Sequence, residues 1–398
     1  MSPLRTCRRH IRVLAASPTG GALALQLAAL LGLGMANSPW RGVWQAVVAL
    51  PLRLGILGAH GPATLGAWVS DGLMALFFAL VIVEIRREMA SGHLSSPRQV
   101  ALPLVGAVGG MVVPALVYLA VTWGNAAAMR GWAIPVATDA AFTLPVVLAL
   151  GPRVAPAART WLMALAIFDD ILGIIVIVLF YGTAVYWPAL LAAALATLGL
   201  AGAGRAGVRG PWPYVLGGGV LWVALLASGL HPTLAGVVAG LCLPATAAPG
   251  RPTPLDRAAH ALAPVVTWAV LPLFAFMNTG ISLAGTRVEM LLQPVPLGVM
   301  LGLVVGKPVG VLGATMLATR LRLAPLPVGT PPGMLFGLCL LCGIGFTISL
   351  FMADQAFAAP GLADMARLGI FAGSALSALA GWVWLRMVPA PAPARRPG

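Results

Sequence analysis

Long apolar segments, separated by short charged or Pro/Gly-rich breaks, follow one another along the whole chain. Each is roughly 15–25 residues long, the length that an α-helix needs to cross the hydrocarbon core of a bilayer. The segments lack the alternation of apolar and polar residues that is typical of membrane-spanning strands. The pattern predicts an all-α polytopic membrane protein with about 12 transmembrane helices. These lie near residues 13–36, 67–85, 99–121, 131–150, 157–181, 187–203, 211–229, 231–246, 258–283, 295–318, 332–353 and 366–387.

The spans are expected to form one transmembrane domain over residues 1–388. Residues 389–398, which are rich in proline, alanine and arginine, are expected to be a disordered tail. The longest outer connection is 37–66, and within it Val47–Gly55 forms either a small hairpin or an irregular loop. The sequence alone leaves both of these alternatives open.

The charges agree with this organisation. Only 9% of the residues are charged, whereas soluble domains have about 25%. When the N-terminus is placed in the cytoplasm, 18 arginines fall in inner segments and 5 in outer segments. This bias predicts an inner-membrane protein with both termini cytoplasmic. The net charge of +14 does not indicate nucleic-acid binding, because the basic residues are spread between apolar runs and not gathered on one face.

Three of the ten acidic residues, Asp139, Asp169 and Asp170, lie deep within predicted spans, as does Lys307, the only lysine. A charge at this depth costs several kcal/mol and usually has a function. Asp169 and Asp170 point about 100° apart on a helix, so they serve different roles. Carboxylates bind hard cations and must be deprotonated to do so, so that cation and proton compete. Such competition, with access alternating between two sides, is sufficient for ion exchange; the alternative is that these acids only form buried ion pairs.

Two spans are interrupted at mid-membrane. Asp139 lies between Pro135 and Pro145, and Thr138 adds a hydroxyl group beside it. Prolines break the helix and expose backbone groups that bind ions, although a simple proline kink is the alternative. A second interruption, Cys342–Thr347, contains two glycines.

Interruptions at corresponding positions of two halves indicate a transport site. If spans 3–5 and spans 10–12 are inverted-topology repeats, the two discontinuous helices cross with opposed ends. Asp139 then offsets the positive N-terminal ends of the broken helices, and Lys307 offsets the negative C-terminal ends.

Other polar residues give weaker signals. Glu84 and Glu88 share a helix face at the end of span two, where they either attract cations or form a solvated helix end. His260 lies near an interface and is able to titrate near neutral pH. Cys339 and Cys342 have no second pair at metal-ligand spacing, so we interpret them as packing residues.

Six separated motifs, in order, resemble those of the bacterial NhaA-type sodium/proton antiporters over nearly the whole chain. They are Asp71-Gly-Leu-Met-Ala-Leu-Phe-Phe, Gly131-Trp-Ala-Ile-Pro-Val-Ala-Thr-Asp139, Phe168-Asp169-Asp170, Leu271-Pro-Leu-Phe-Ala-Phe, Gly306-Lys307-Pro308 and Cys342-Gly-Ile-Gly-Phe-Thr347. The resemblance implies a pH-regulated, electrogenic transporter with no cofactor and no enzymatic activity. It implies that cytoplasmic Na⁺ or Li⁺ leaves while two protons enter, and that a homodimer forms through segment 37–66.

The resemblance also implies roles for particular residues. Asp170, with Asp169 and Thr138, forms the Na⁺ and proton site, and Lys307 is the partner of Asp169. Asp139 balances the helix dipoles. The set implied in the cytoplasmic funnel and the pH response consists of Glu84, Arg87, Glu88 and His260.

Some positions depart from the family pattern. A pH-sensing glutamate of the family corresponds to Ala259, and Asp256, one turn earlier, is a candidate substitute. Beyond Asp170, the segment Ile171–Ile174 carries its glycine one place late. The runner-up function is a sodium-coupled solute symporter of the same architecture. A passive cation channel is disfavoured by Lys307 beside the acids, and a membrane enzyme by the lack of a nucleophile–base pair.

Overall fold

The computed structural model describes residues 18–53, 62–91, 97–182, 186–246, 252–283, 287–357 and 359–389. Over these ranges the chain is almost entirely helical, and its extended pairing is one isolated bridge between Pro51 and Thr64. The predicted all-helical membrane fold is therefore confirmed. Apart from Pro389, the predicted tail lies outside the described residues.

The main helices follow in chain order. They are α1 (Pro18–Ala36), α2 (Arg41–Val48), α3 (Met74–Ser91), α4 (Pro97–Val121), α5 (Ala140–Ala149), α6 (Pro156–Phe180), α7 (Trp187–Arg205), α8 (Trp212–Ser228), α9 (Leu234–Cys242), α10 (Pro254–Val265), α11 (Leu271–Asn278), α12 (Pro294–Leu301), α13 (Lys307–Arg320), α14 (Pro332–Leu341), α15 (Phe346–Ala356) and α16 (Pro360–Met387). Three π-helical turns, Trp68–Leu73, Val266–Val270 and Gly302–Gly306, lead directly into α3, α11 and α13.

Every predicted span contains a helix, but not every helix is long enough to count as a complete crossing. In the described ranges, seven helical stretches are long and apolar enough to cross a bilayer, or up to ten if each of three bent pairs is one span. The predicted spans 211–229 and 231–246 contain α8, of 17 residues, and α9, of only 9 residues. The count of twelve spans and the inverted repeats stay predictions.

The chain forms two compact units. The first unit comprises residues 1–92 and 174–285. Within it, α3 packs closely against α9, because Gly236 has no side chain at the contact. A methyl group on Gly236 would lie 1.9 Å from the carbonyl oxygen of Ala75.

The second unit comprises residues 93–173 and 286–398. Each of its two halves contains a long helix, a broken helix and another long helix, in the same order. Its core includes Trp161 and Leu165 of α6 and Val311 of α13. Cys339 and Cys342 are free thiols within this core, so both cysteines are packing residues.

Candidate functional site

Two broken helices contact each other inside the second unit. The 3₁₀ segment Arg130–Val136 and α5 are separated by a 42° bend, and α14 and α15 by a 47° bend. The backbone N–H of Asp139 in the first break donates to the carbonyl of Ile344 in the second, at 2.6 Å. The two interruptions that the sequence predicts therefore meet.

Asp139 caps two helices with one carboxylate. Its Oδ1 accepts from the backbone N–H groups of Ala141 and Phe142, at 2.9 and 3.1 Å, in the first turn of α5. Its Oδ2 accepts from the N–H and the hydroxyl of Thr347, at 2.8 and 2.5 Å, at the start of α15. The unsatisfied N–H groups and the dipole of a helix N-terminus both favour a negative charge. One buried acid thus faces the positive ends of both broken helices.

The ammonium group of Lys307 lies at the C-terminal end of a helical segment. Its Nζ donates to the carbonyl oxygen of Val136, the last residue of the 3₁₀ segment, and is 2.5 Å from Oδ2 of Asp169. Both side chains of this ion pair are almost completely buried. A hydroxyl group also binds a carbonyl oxygen that the second helix break leaves without a helical partner. The hydroxyl of Thr138 donates to the carbonyl oxygen of Cys342 at 2.8 Å. At the crossing, Asp139 therefore compensates the positive N-terminal helix ends, and Lys307 compensates a negative C-terminal end.

Glycines allow α4 to approach this ion pair. A methyl group on Gly110 would lie 2.6 Å from Cγ2 of Val311 and 3.4 Å from Nζ of Lys307. A methyl group on Gly306, which ends the π-helical turn before Lys307, would lie 2.6 Å from Cα of Pro114. Side chains at these positions would separate α4 from α13 and move the ammonium group.

Asp169 and Asp170 are neighbours on α6, and both are buried. Thr138 lies near the Asp169 carboxylate, and its hydroxyl donates to the carbonyl oxygen of Cys342. The second oxygen of that carboxylate, Oδ1, has no hydrogen-bond partner in the described ranges. Carboxylate and hydroxyl oxygens in a buried setting are a donor set for a hard cation such as Na⁺.

Four hydroxyl residues at the crossing were not predicted as site residues. Besides Thr347, Ser349 donates to the carbonyl of Ile134 at 2.7 Å, Thr143 donates to Leu341 at 3.3 Å, and Ser374 accepts from the N–H of Gly345 at 3.3 Å. Threonine and serine are common in membrane helices, where they often bond to their own backbone. Only the position of Thr347, directly after a glycine-rich break, carried a signal in the sequence.

The residues predicted for the pH response lie in the first unit. Glu84, Arg87 and Glu88 are on the last turns of α3, with Glu84 and Arg87 exposed and Glu88 half-buried. His260 is exposed on α10. Their part in the pH response stays a prediction.

Asp256 has a local role in the structure. Its carboxylate accepts from the N–H of Thr253 at 3.2 Å, while the hydroxyl of Thr253 accepts from the N–H of Asp256 at 2.9 Å. This is a capping box at the start of α10. Ala259, by contrast, is buried against Val83 and Leu255.

Buried charges at the crossing of two broken membrane helices define the chain as an ion-transporting membrane protein. Comparison with known proteins narrows this class. Residues 12–385 match the profile of the Na⁺/H⁺ antiporter 1 family. The chain belongs to this family.

Relatives resemble the chain over nearly its full length. It is 63% identical over 376 residues to an Na(+)/H(+) antiporter NhaA of Gluconacetobacter diazotrophicus, covering 94% of this chain and 95% of the relative. The NhaA of Gluconobacter oxydans is 62% identical over 388 residues, with 98% and 96% covered. That of Zymomonas mobilis is 52% identical over 386 residues, with 97% and 99% covered. The predicted family and its sodium/proton antiport are thus confirmed, whereas solute symport finds no support.

Proposed function

We propose that Na⁺ or Li⁺ and protons compete for the carboxylates of Asp169 and Asp170, with Thr138 supplying a further oxygen ligand. The observation that carries this proposal is the ion pair of Asp169 with the only lysine, directly beside a second buried acid. A cation that binds to Asp169 takes the place of the ammonium group of Lys307. Sodium binding is therefore linked to proton release from this cluster.

Charge balance gives the electrical consequence. With Asp170 protonated and Lys307 charged, the group formed by these two residues and Asp169 has no net charge. With Na⁺ bound to two carboxylates and a neutral lysine, its net charge is −1. Exchange of two protons for one Na⁺ therefore moves charge and is driven by the membrane potential.

Asp139 holds the crossing together while this exchange takes place. Its carboxylate remains on the N–H groups of α5 and α15, so it is a positioning residue and does not bind the transported ion. This fixed negative charge at the helix N-termini allows the two broken helices to remain at the crossing without a bound cation.

The remaining proposals concern the membrane in which the transporter lies, its orientation, its pH response and its oligomeric state. The arginine bias supports a bacterial inner membrane with both termini in the cytoplasm. Glu84, Arg87, Glu88 and His260 are proposed to adjust activity to pH at the cytoplasmic side. Segment 37–66, which contains the isolated bridge between Pro51 and Thr64, is proposed to form the contact between two copies in a homodimer. No cofactor is required for this chemistry.

Proteoliposomes with an imposed pH gradient and a pH-sensitive dye test the ion site. Na⁺, Li⁺ and K⁺ are added in turn to the wild type, to Asp170→Asn and to Asp364→Asn. Asp364 is a matched control, because it is an exposed acid of the same unit. We expect Na⁺ or Li⁺ to dissipate the gradient in the wild type and the control but not in Asp170→Asn. Activity of Asp170→Asn equal to that of the wild type would contradict the proposed site.

A further inference from the structure

A second ion pair of the same unit joins the end of α15 to α16. Nη2 of Arg367, on α16, is 2.7 Å from Oδ1 of Asp354, on α15, and the two side chains are 21% and 19% exposed. Nη1 of the same guanidinium group donates to Oδ1 of Asp364 at 3.0 Å, on α16 itself. One arginine of α16 therefore holds a mostly buried acid of α15.

The place of Asp354 in its helix requires this partner. Asp354 lies in the last turn of α15, which ends at Ala356. The C-terminal end of a helix carries a partial negative charge, so a carboxylate there is repelled unless a cation lies beside it. Arg367 supplies that cation. Since Asp139 lies at the N-terminal end of α15, a charge opposite to the helix dipole is present at each end of this helix.

α16 holds the second broken helix at two levels. The hydroxyl of Ser374 accepts from the N–H of Gly345, directly before α15, at 3.3 Å. Ser374 lies two helical turns after Arg367, so both residues are on the same face of α16. α15 is thus attached to α16 just before its first residue and again in its last turn. Because a short α-helix moves as a rigid body, a displacement of its last turn also displaces the break before it.

This break supplies two carbonyl groups that hold the first broken helix. The carbonyl oxygen of Cys342 accepts from the hydroxyl of Thr138 at 2.8 Å. The carbonyl oxygen of Ile344 accepts from the N–H of Asp139 at 2.6 Å. The Thr138 hydroxyl gives its single proton to Cys342, so its lone pairs remain available to a cation. The orientation of this proposed ion ligand therefore depends on the position of the second break.

We infer that Arg367 is a positioning residue for the transported cation. By holding Asp354 it fixes α15, and thereby the carbonyl group that orients the hydroxyl of Thr138. Without the guanidinium group, the Asp354 carboxylate lies unpaired beside the negative end of α15, and the helix moves away from α16. Thr138 then no longer faces the cation, whereas the carboxylates on α6 keep their places. This inference rests on the proposed role of Thr138 as an ion ligand.

Three variants in proteoliposomes test the pair. Arg367→Gln and Asp354→Asn each remove one charge, and the third variant combines them. Asp354→Asn keeps the size of the side chain, so it tests the pair even if Arg367→Gln fails to fold. Dissipation of an imposed pH gradient is measured over a range of Na⁺ concentrations, which separates the apparent KM from the maximal rate. Two matched controls are Asp364→Asn, at a side chain that is 57% exposed, and Arg287→Gln, at an exposed arginine of the same unit.

We expect each single variant to raise the apparent KM for Na⁺ about tenfold with the maximal rate unchanged, because a group that orients an ion ligand is lost. The KM of the double variant should not exceed the higher of the two single values, because both substitutions remove the same pair. Both controls should keep the wild-type KM. A wild-type KM in folded Arg367→Gln and Asp354→Asn, or a loss confined to the maximal rate, would overturn the inference.

A second set of variants tests the route from Arg367 to the ion. Thr138→Val removes the hydroxyl and should itself raise the apparent KM for Na⁺, and adding Arg367→Gln should raise it no further. Thr138→Ser keeps a hydroxyl, so Arg367→Gln should still raise the KM about tenfold in that background. Increases that multiply in the Thr138→Val background would overturn the inference.

Hydrogen exchange observes the displacement of α15 independently of transport. The N–H groups of Gly345 and Thr347 are bound by Ser374 and Asp139. In purified Arg367→Gln we expect these two amides to exchange about tenfold faster than in the wild type, because their helix has lost the attachment at its last turn. The two controls should exchange as the wild type does. Equal protection in Arg367→Gln and the wild type would overturn the inference.

The same measurements keep the inference distinct from the proposed ion site. A wild-type KM in Thr138→Val would contradict the proposed ligand, and the inference with it. A raised KM in Thr138→Val, together with a wild-type KM in Arg367→Gln and Asp354→Asn, would leave the ion site intact. In that case only the positioning role of Arg367 is wrong.

Discussion

The ammonium of Lys307 lies 2.5 Å from the carboxylate of Asp169, and neither side chain has significant contact with solvent. The pair joins α13 to α6 beside the crossing of the two broken helices. Removal of one partner from a buried pair leaves an uncompensated charge, which costs far more than the pair itself contributes. The two residues should therefore depend on each other for stability.

Neutralising one partner tests this dependence. We expect Asp169→Asn and Lys307→Gln each to lower the free energy of unfolding by about 3–5 kcal/mol. The double variant should be more stable than either single variant, because no charge remains unpaired. Thermal unfolding of the purified protein in detergent measures the difference. Losses that simply add in the double variant would show that the two charges are not coupled.

The carboxylate of Asp139 is expected to stabilise the crossing through both of its oxygens. Asp139→Ala removes the acceptor for α5 and for α15 together, and we expect it to cost at least about 3 kcal/mol. Thr347→Val keeps the backbone N–H and removes only one hydroxyl, so its effect should be smaller. Thermal unfolding of both variants provides the comparison, and an equal or larger loss in Thr347→Val would contradict the double cap.

Close helix packing in the first unit depends on Gly236. Gly236→Ala would bring a methyl carbon into contact with the backbone of α3, which has no flexible end that is able to move away. We expect this variant to be lost from the membrane fraction. Gly219→Ala, on the open side of α8, is the matched control and should match or exceed wild-type stability by up to about 1 kcal/mol. Normal yields of folded Gly236→Ala would refute the packing at this contact.

The sequence predicted the main residues of the crossing because each violates a rule of membrane helices. Charges such as Asp139 and Lys307 are costly in an apolar run, and prolines and glycines interrupt a helix. Thr143, Ser349 and Ser374 violate no such rule, since a hydroxyl in a membrane helix is satisfied by its own backbone as easily as by another helix. Their contacts depend on how the two breaks meet, which only the structure describes.

Sequence patterns that form local structure, such as helix caps, were harder to distinguish from patterns that indicate a function. Asp256 is a candidate substitute for a pH-sensing residue, and this role stays a prediction. Thr253, three residues earlier, and Pro254 also form the pattern of a capping box with it. The number of spans was similarly hard to predict, because hydropathy does not distinguish a full crossing from the nine-residue helix α9. Segment length and apolarity alone do not report the depth of a helix.

Proton release on sodium binding is the direct test of competition between Na⁺ and protons for Asp169 and Asp170. Na⁺ is added to purified protein in weakly buffered detergent solution, and a pH indicator and calorimetry follow the wild type and Asp170→Asn. Because protonated carboxylates cannot hold the cation, apparent Na⁺ affinity should rise with pH, about tenfold per pH unit for each proton released. We expect proton release by the wild type and none by Asp170→Asn. Sodium binding without proton release, or equal binding by the variant, would contradict competition at this site.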